Sequence, residues 1–385
     1  MFPNSFRYRV LHKMEQLNSG FLECDEIYYL KINPMIIRNY RVIIFFKCPW
    51  TKKVNKAIQL AKILKKTVLF DINDLLFDNK YIETIPLNKS LRNKMKIKYD
   101  SRIERIGKTL KLCHGAITST LAIARELKKY ISNVFINHNV ANEEMWKLSQ
   151  EALINNRSIK DNNIIIGYFS GSITHNLDLE LIKPALIKIL KKFKNVKLLL
   201  VGKISYPKYL KEFYKEILVK SFIDWRKLPK LISNVDINIS PIKNSLFNLA
   251  KSANMWVEAS LVKIPTIASN FGQFKNVIKH NITGFLCSNN QEWFNTFETL
   301  IKDENLRKII GENAYKECQQ NYNTIYSGIR LSKYINNISS KHIGFFLPSL
   351  QIAGGIYVVL KHACILQDEG WDVELIFDKI DIDLI

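Results

Sequence analysis

At 385 residues, with 47% hydrophobic and 24% charged residues, the chain has apolar material for two α/β cores and is not disordered by composition. Its formal net charge of +22 comes from lysines spread along the whole sequence. That spread reads as a solvated surface and gives no nucleic-acid partner, while leaving open peripheral contact with an anionic membrane. No apolar run reaches the roughly 18 residues of a spanning helix, Met1 to Tyr8 has no secretory pattern, and Cys24, Cys48, Cys113, Cys287, Cys318 and Cys364 contain no C-x-x-C pair. The expectation is a cytoplasmic protein with ordinary thiols and no metal site, any membrane contact being at the inner face of the cell membrane.

The chain opens directly on a helical pattern, Tyr8 to Leu17, with no strand in front of it. Short apolar runs at Val42 to Phe46, Thr67 to Ile72, Gly115 to Thr118 and Asn133 to Asn137 then predict strands. They alternate with helices at Val54 to Lys65 and Ser119 to Tyr130, whose apolar residues recur at helical spacing. After the amphipathic segment Asn142 to Leu153, the polar stretch Asn155 to Asn163 marks a domain boundary. A second cycle follows, with strands at Ile164 to Phe169, Val196 to Val201, Val235 to Ser240, Ile264 to Ala268 and Gly284 to Cys287. Its helices are expected at Leu177 to Lys192, Pro207 to Leu218, Ser252 to Leu261 and Phe271 to Lys279. Ile343 to Leu347, Gly354 to Asp368 and Asp372 to Phe377 predict a last β-α-β unit. The organisation is α/β: residues 1–154 form a Rossmann-like domain, residues 155–338 a second one, and residues 341–385 the start of a further module. A ligand is expected between the carboxyl ends of the two sheets.

The most informative run is Gly167-Tyr-Phe-Ser-Gly-Ser-Ile-Thr-His175, a small-residue turn between a strand and a helix. Ser170, Gly171 and Ser172 would let backbone N–H groups approach a diphosphate at a helix amino terminus, although a tight turn also uses glycine for geometry alone. Lys251-Ser-Ala-Asn-Met-Trp-Val-Glu258 precedes Lys263-Ile-Pro-Thr-Ile-Ala-Ser269-Asn-Phe-Gly272. Lys251 and Ser252 sit where a helix begins, suited to phosphate, and Glu258 lies about two turns on, able to accept from a ribose diol. Taken singly, Ser252 reads better as a helix cap and Glu258 better as a solvated acid.

These segments resemble family 4 of the glycosyltransferases, retaining enzymes of the GT-B fold that use nucleotide-activated sugars. The resemblance runs from about Ser5 to Ile338. Gly167 to Asp178 is similar to the element that opens the family's donor domain, Lys251 to Gly272 to its nucleotide-sugar segment, and Asn281-Ile-Thr-Gly284-Phe-Leu to the turn and strand that follow. Phe6-Arg-Tyr-Arg-Val10, Glu15-Gln-Leu17 and Phe70-Asp-Ile-Asn-Asp74 resemble the acceptor domain of a bacterial surface-polysaccharide subgroup, here without its first strand. Ile343 to Ile376, with Gly354 and Gly355, resembles the start of another such module.

The resemblance implies transfer of a sugar, with retention, from a nucleotide sugar to a glycan or lipid-linked acceptor, as a retaining hexosyltransferase would perform it, without cofactor or metal. Gly202 joins the donor-binding residues, Lys203 and Lys251 become the cations facing the leaving diphosphate, and His175 becomes a contact to sugar or diphosphate. Asp71 and Asp74 become groups that orient the acceptor. Ala250 stands where the family carries the first of two glutamates. A nucleotide-sugar-binding or scaffold module without turnover, and a nucleotide-sugar epimerase of the same fold, are the alternative readings.

Overall fold

Strands form where the sequence holds short β-branched and aromatic runs, and all of them pair in parallel. The computed structural model describes residues 3–87, 89–155, 163–171, 176–202, 204, 206–339, 341–347, 354–368 and 371–377. In the first half, β1 (Val42–Phe46), β2 (Thr67–Ile72), β3 (Gly115–Thr118) and β4 (Val134–Ile136) lie side by side in chain order. β2 is buried along its whole length, as the interior strand of a sheet covered on both faces must be. One face carries the helices Lys52–Ile63 and Lys89–Leu112. The other meets Leu17 of the N-terminal helix with Leu331 and Ile335 of the helix Thr324–Ile338.

The second half contains β5 (Ile164–Ser170), β6 (Val196–Gly202), β7 (Ile217–Lys220), β8 (Ile237–Ser240), β9 (Thr266–Ser269) and β10 (Phe285–Cys287) in the order β10-β9-β8-β5-β6-β7. This is the doubly wound arrangement, and its order reverses between β5 and β8, which opens a crevice at the carboxyl ends of those strands. Two facing Rossmann-like units of this kind make the GT-B fold.

Three expectations need correction. The helix expected over Leu177 to Lys192 is two helices, Asn176–Glu180 and Lys183–Lys192, because Pro184 cannot donate inside a continuous helix and instead opens the second one. The helix expected over Pro207 to Leu218 is a 3-10 turn, Lys208–Phe213, followed by β7, where pairing with β6 overrides a helix-like apolar spacing. The helix expected from Ser252 begins later, at Asn254, with Ala253 as the capping residue, so Ser252 is not a cap. The two halves also pack on each other through helices at both of their crossings. The helix Glu143–Ile154 packs on Leu228–Ile232 of the second half, and Thr324–Ile338 packs back on the N-terminal helix of the first. The two crossings run together as a parallel bridge between Ala141 and Asn323, with the Ala141 N–H donating to the Tyr322 carbonyl at 2.9 Å.

The last β-α-β unit forms as expected: β11 (Lys341–Leu347) pairs in parallel with β12 (Trp371–Phe377), joined by the helix Gly354–Asp368. Among the described residues neither strand pairs with the larger sheets.

Candidate functional site

The carboxyl ends of both sheets open onto a cavity of about 1350 Å³. Ser170 and Gly171 reach it from the end of β5, and Gly202 reaches it from the end of β6. Gly202 has a φ of 118°, and a Cβ there would stand 1.8 Å from the Ser170 carbonyl oxygen, so these strand ends approach this closely only with glycine. Ser172 and His175, in the same turn, and Lys203, after β6, lie outside the described residues.

Lys251, Ser252 and Glu258 line the same cavity. Lys251 Nζ lies 3.5 Å from Asp178 Oδ2. Asp178 is fully buried and also accepts from the Lys243 N–H at 2.8 Å and from Asn248 Nδ2 at 3.0 Å, so one carboxylate fixes the loop that carries Lys251. Burial draws the Lys251 ammonium below the usual lysine range and Asp178 opposes this. Ser252 Oγ is buried and makes no hydrogen bond among the described residues.

Glu258 is held from across the cavity. Its Oε1 accepts from Arg7 Nη2 at 3.0 Å and from the Tyr8 hydroxyl at 2.9 Å, whereas Oε2 makes no hydrogen bond among the described residues. Burial pushes the Tyr8 phenol well above its usual range, so it donates as a neutral group. Arg7 in turn stacks on Tyr8 and Trp225, with its guanidinium carbon 4.4 Å and 4.6 Å from the ring centroids. Two further bonds cross between the halves: Asn139 Nδ2 donates to Asn254 Oδ1 at 3.2 Å and Thr120 Oγ1 to the Ala250 carbonyl at 3.2 Å. Ala250 itself is 3% exposed and packs with the apolar core of the first half.

The two aspartates expected on the acceptor side differ. Asp71 is fully buried and accepts from Arg9 Nε at 2.8 Å and Arg9 Nη2 at 2.9 Å, and Lys13 also pairs with it. Both oxygens are therefore committed to the N-terminal helix, and Asp71 does not face the cavity. Asp74 does line it, paired with Lys47 and accepting from the Leu76 N–H at 3.1 Å. Among the described residues no three His, Cys, Asp or Glu side chains gather as a metal site, and no helix is long and apolar enough to cross a membrane.

Sequence reasoning brought Ser170, Gly171, Gly202, Lys251, Ser252, Glu258 and Asp74 to one cavity. It missed Asp178 as the anchor of Lys251, and Arg7 and Tyr8 as partners of Glu258. The only signal for the latter pair was the Arg-Tyr-Arg run before the first apolar stretch.

Residues 149–317 match the family described as glycosyl transferases group 1. Comparison with curated proteins finds no match. Among solved structures, the chain is similar to HepE of Anabaena in complex with UDP (15% identity, TM-score 0.54, covering 79% of this chain and 81% of that one). It is also similar to sucrose-phosphate synthase of Thermosynechococcus elongatus (16%, TM-score 0.53, 84% and 82%). A glycosyltransferase of Rickettsia africae is a third such structure (18%, TM-score 0.53, 85% and 88%).

Proposed function

We propose that the chain is a glycosyltransferase that takes a sugar from a nucleotide sugar and passes it to a hydroxyl of a glycan or lipid-linked acceptor with retention of configuration. The observation that carries this reading is the convergence, within the segment matching the group 1 family, of a glycine-lined strand edge, Lys251, and the Ser252 hydroxyl and Glu258 Oε2, both without a hydrogen bond among the described residues, on one cavity. Ser252 and the turn after Ser170 suit a diphosphate, and Glu258 Oε2 suits a ribose diol. HepE was solved with UDP, which makes UDP-sugars the first donors to try.

In the reaction the bond between the sugar's anomeric carbon and the diphosphate oxygen breaks while the acceptor oxygen bonds that carbon from the same face. The diphosphate leaves with the electron pair and takes up the proton that the acceptor hydroxyl gives up. Lys251, positioned by Asp178, faces the charge that gathers there, and a preorganised cation in a dry site lowers such a barrier. Lys203 and His175 belong to the same proposal, as does Asp74 for the acceptor hydroxyl; no resident metal or cofactor enters it.

A second reading, nucleotide-sugar binding without turnover, is favoured by Ala250, which offers no acidic group beside the transferred sugar. Thermal unfolding with a panel of nucleotide sugars tests the first step: a donor at about 100 times its dissociation constant stabilises by about 2.7 kcal/mol. If no nucleotide sugar shifts the transition, both readings fail. NMR of the product made with an α-linked donor separates them: an α-linked product supports retaining transfer, a β-linked product excludes retention, and binding without any product leaves the second reading.

A further inference from the structure

The two larger sheets differ by half. In the second, strands run from β5 in both directions; in the first, β1-β2-β3-β4 run in one direction only and β1 is left at an edge. The Thr67 N–H donates to the Arg41 carbonyl at 3.1 Å and the Lys47 N–H to the Asp71 carbonyl at 3.0 Å. Odd-numbered residues of β1 therefore face β2, and Val42, Ile44 and Phe46 turn their N–H and C=O groups to the open edge. The strand reads Val-Ile-Ile-Phe-Phe, a pattern of interior parallel strands, with none of the charges or prolines that blunt true edges. The cavity extends along it, walled by Leu17 and Leu22 from one face and by Ile32 and Ile37 from the other.

The β11–β12 unit is the complementary orphan. Two strands and a helix cannot bury both faces of a sheet. Its helix exposes Tyr357, Val358 and Ile365 at 61%, 52% and 49%. Thr67 Oγ1 donates to the Ile338 carbonyl at 3.0 Å and Arg41 Nη2 to Asn336 Oδ1 at 2.8 Å, so the helix Thr324–Ile338 ends beside the starts of β1 and β2. β11 begins at Lys341, three residues beyond Ile338.

We infer that the open edge of β1 is the docking site of residues 341–377 of the same chain. β11 pairs with β1 to give the order β12-β11-β1-β2-β3-β4, whose first five strands match β6-β5-β8-β9-β10 of the second sheet. The helix Gly354–Asp368 then covers the face where Val42 and Ile44 are only half-buried. The C-terminal segment thereby completes the first half of the molecule.

Hydrogen exchange on the full chain, read by mass spectrometry with fragmentation, tests this. Docking predicts slow exchange at Val42, Ile44 and Phe46 and across Ile343 to Leu347. Phe345→Pro, which breaks the pairing strand, accelerates the three β1 amides by at least about 10-fold and leaves β5 unchanged. Should that variant also loosen β5, Val358→Asp with Ile365→Asp replaces it; an undocked helix tolerates both, and a docked one releases the same three amides. Fast exchange at these amides in the unsubstituted chain, or no response to either variant, overturns the inference and makes residues 341–385 the start of a separate module. Protection that fades on dilution of a dimer overturns it in favour of docking onto a second copy.

Discussion

Arg7 and Arg9 stand two residues apart in the π-helical stretch Arg7–Leu11 and bind carboxylates of different halves: Arg9 meets Asp71, and Arg7 meets Glu258. On Asp71 both oxygens are taken and the group is sealed from solvent, so the pair fastens the N-terminal helix to the first sheet. On Glu258 only one oxygen is taken among the described residues and the residue lines the cavity, so the contact aims the carboxylate into that space. The same ion-pair chemistry is closed off at Asp71 and left half open towards the cavity at Glu258.

The comparison is broken first at Asp71. Asp71→Ala strands two buried cations, and removing one partner of a buried pair costs about 3 to 5 kcal/mol. Urea unfolding measures this, and a loss under 1 kcal/mol would mean that Arg9 and Lys13 find other partners. Next in size is an acid sensitivity of the same helix. Burial, more than its bond to the Val140 carbonyl, sets the His12 ring and holds its pKa down at about 4. Unfolded, His12 titrates near 6.5, so between these values the unfolded chain binds a proton that the folded chain refuses. The stabilising effect is full above about pH 6.5 and fades as pH falls toward 4, on the order of 3 kcal/mol in all, and His12→Gln should flatten the stability profile in that window.

On the donor side the expected effects fall on binding instead. Glu258→Ala should weaken nucleotide affinity by about 1.5 to 3 kcal/mol in calorimetry while the chain stays folded. Tyr8→Phe removes one aiming bond and should cost about 0.5 to 1.5 kcal/mol of the same affinity; an effect on unfolding alone would assign Tyr8 to the Asp71 class. The smallest effect is expected at Arg226, whose bond to Glu144 is exposed on both sides: Arg226→Ala should change stability by under about 1 kcal/mol.

Much of this arrangement was legible before any coordinates. Val42 to Phe46 and Thr67 to Ile72 are strands because continuous β-branched and aromatic runs have no other economical use, and the spacing from Lys251 to Glu258 already placed a cation and an acid on one helix entry. β7 was not legible, since Ile217 to Lys220 acquires strand character only from the edge of β6. The helix Lys89–Leu112 was passed over because few of its residues are apolar and its face shows weakly in the sequence. Asp71 was misread for a different reason: an aspartate at a strand end looks alike whether it faces a ligand or an arginine 62 positions away. Contacts such as Arg7 to Glu258, 251 positions apart, have no local trace at all.

The paired crossing at Ala141 and Asn323 has a mechanical meaning. A single tether lets two bodies swivel about every axis, whereas two segments anchored side by side resist torsion and yield to bending in one plane. A double crossing of this shape leaves bending as the softest relative motion of the halves, like a door on a leaf hinge. The bonds from Arg7 and Tyr8 to Glu258 join the same two halves, so they act as a catch on that bending and hold the facing residues of the cavity in register.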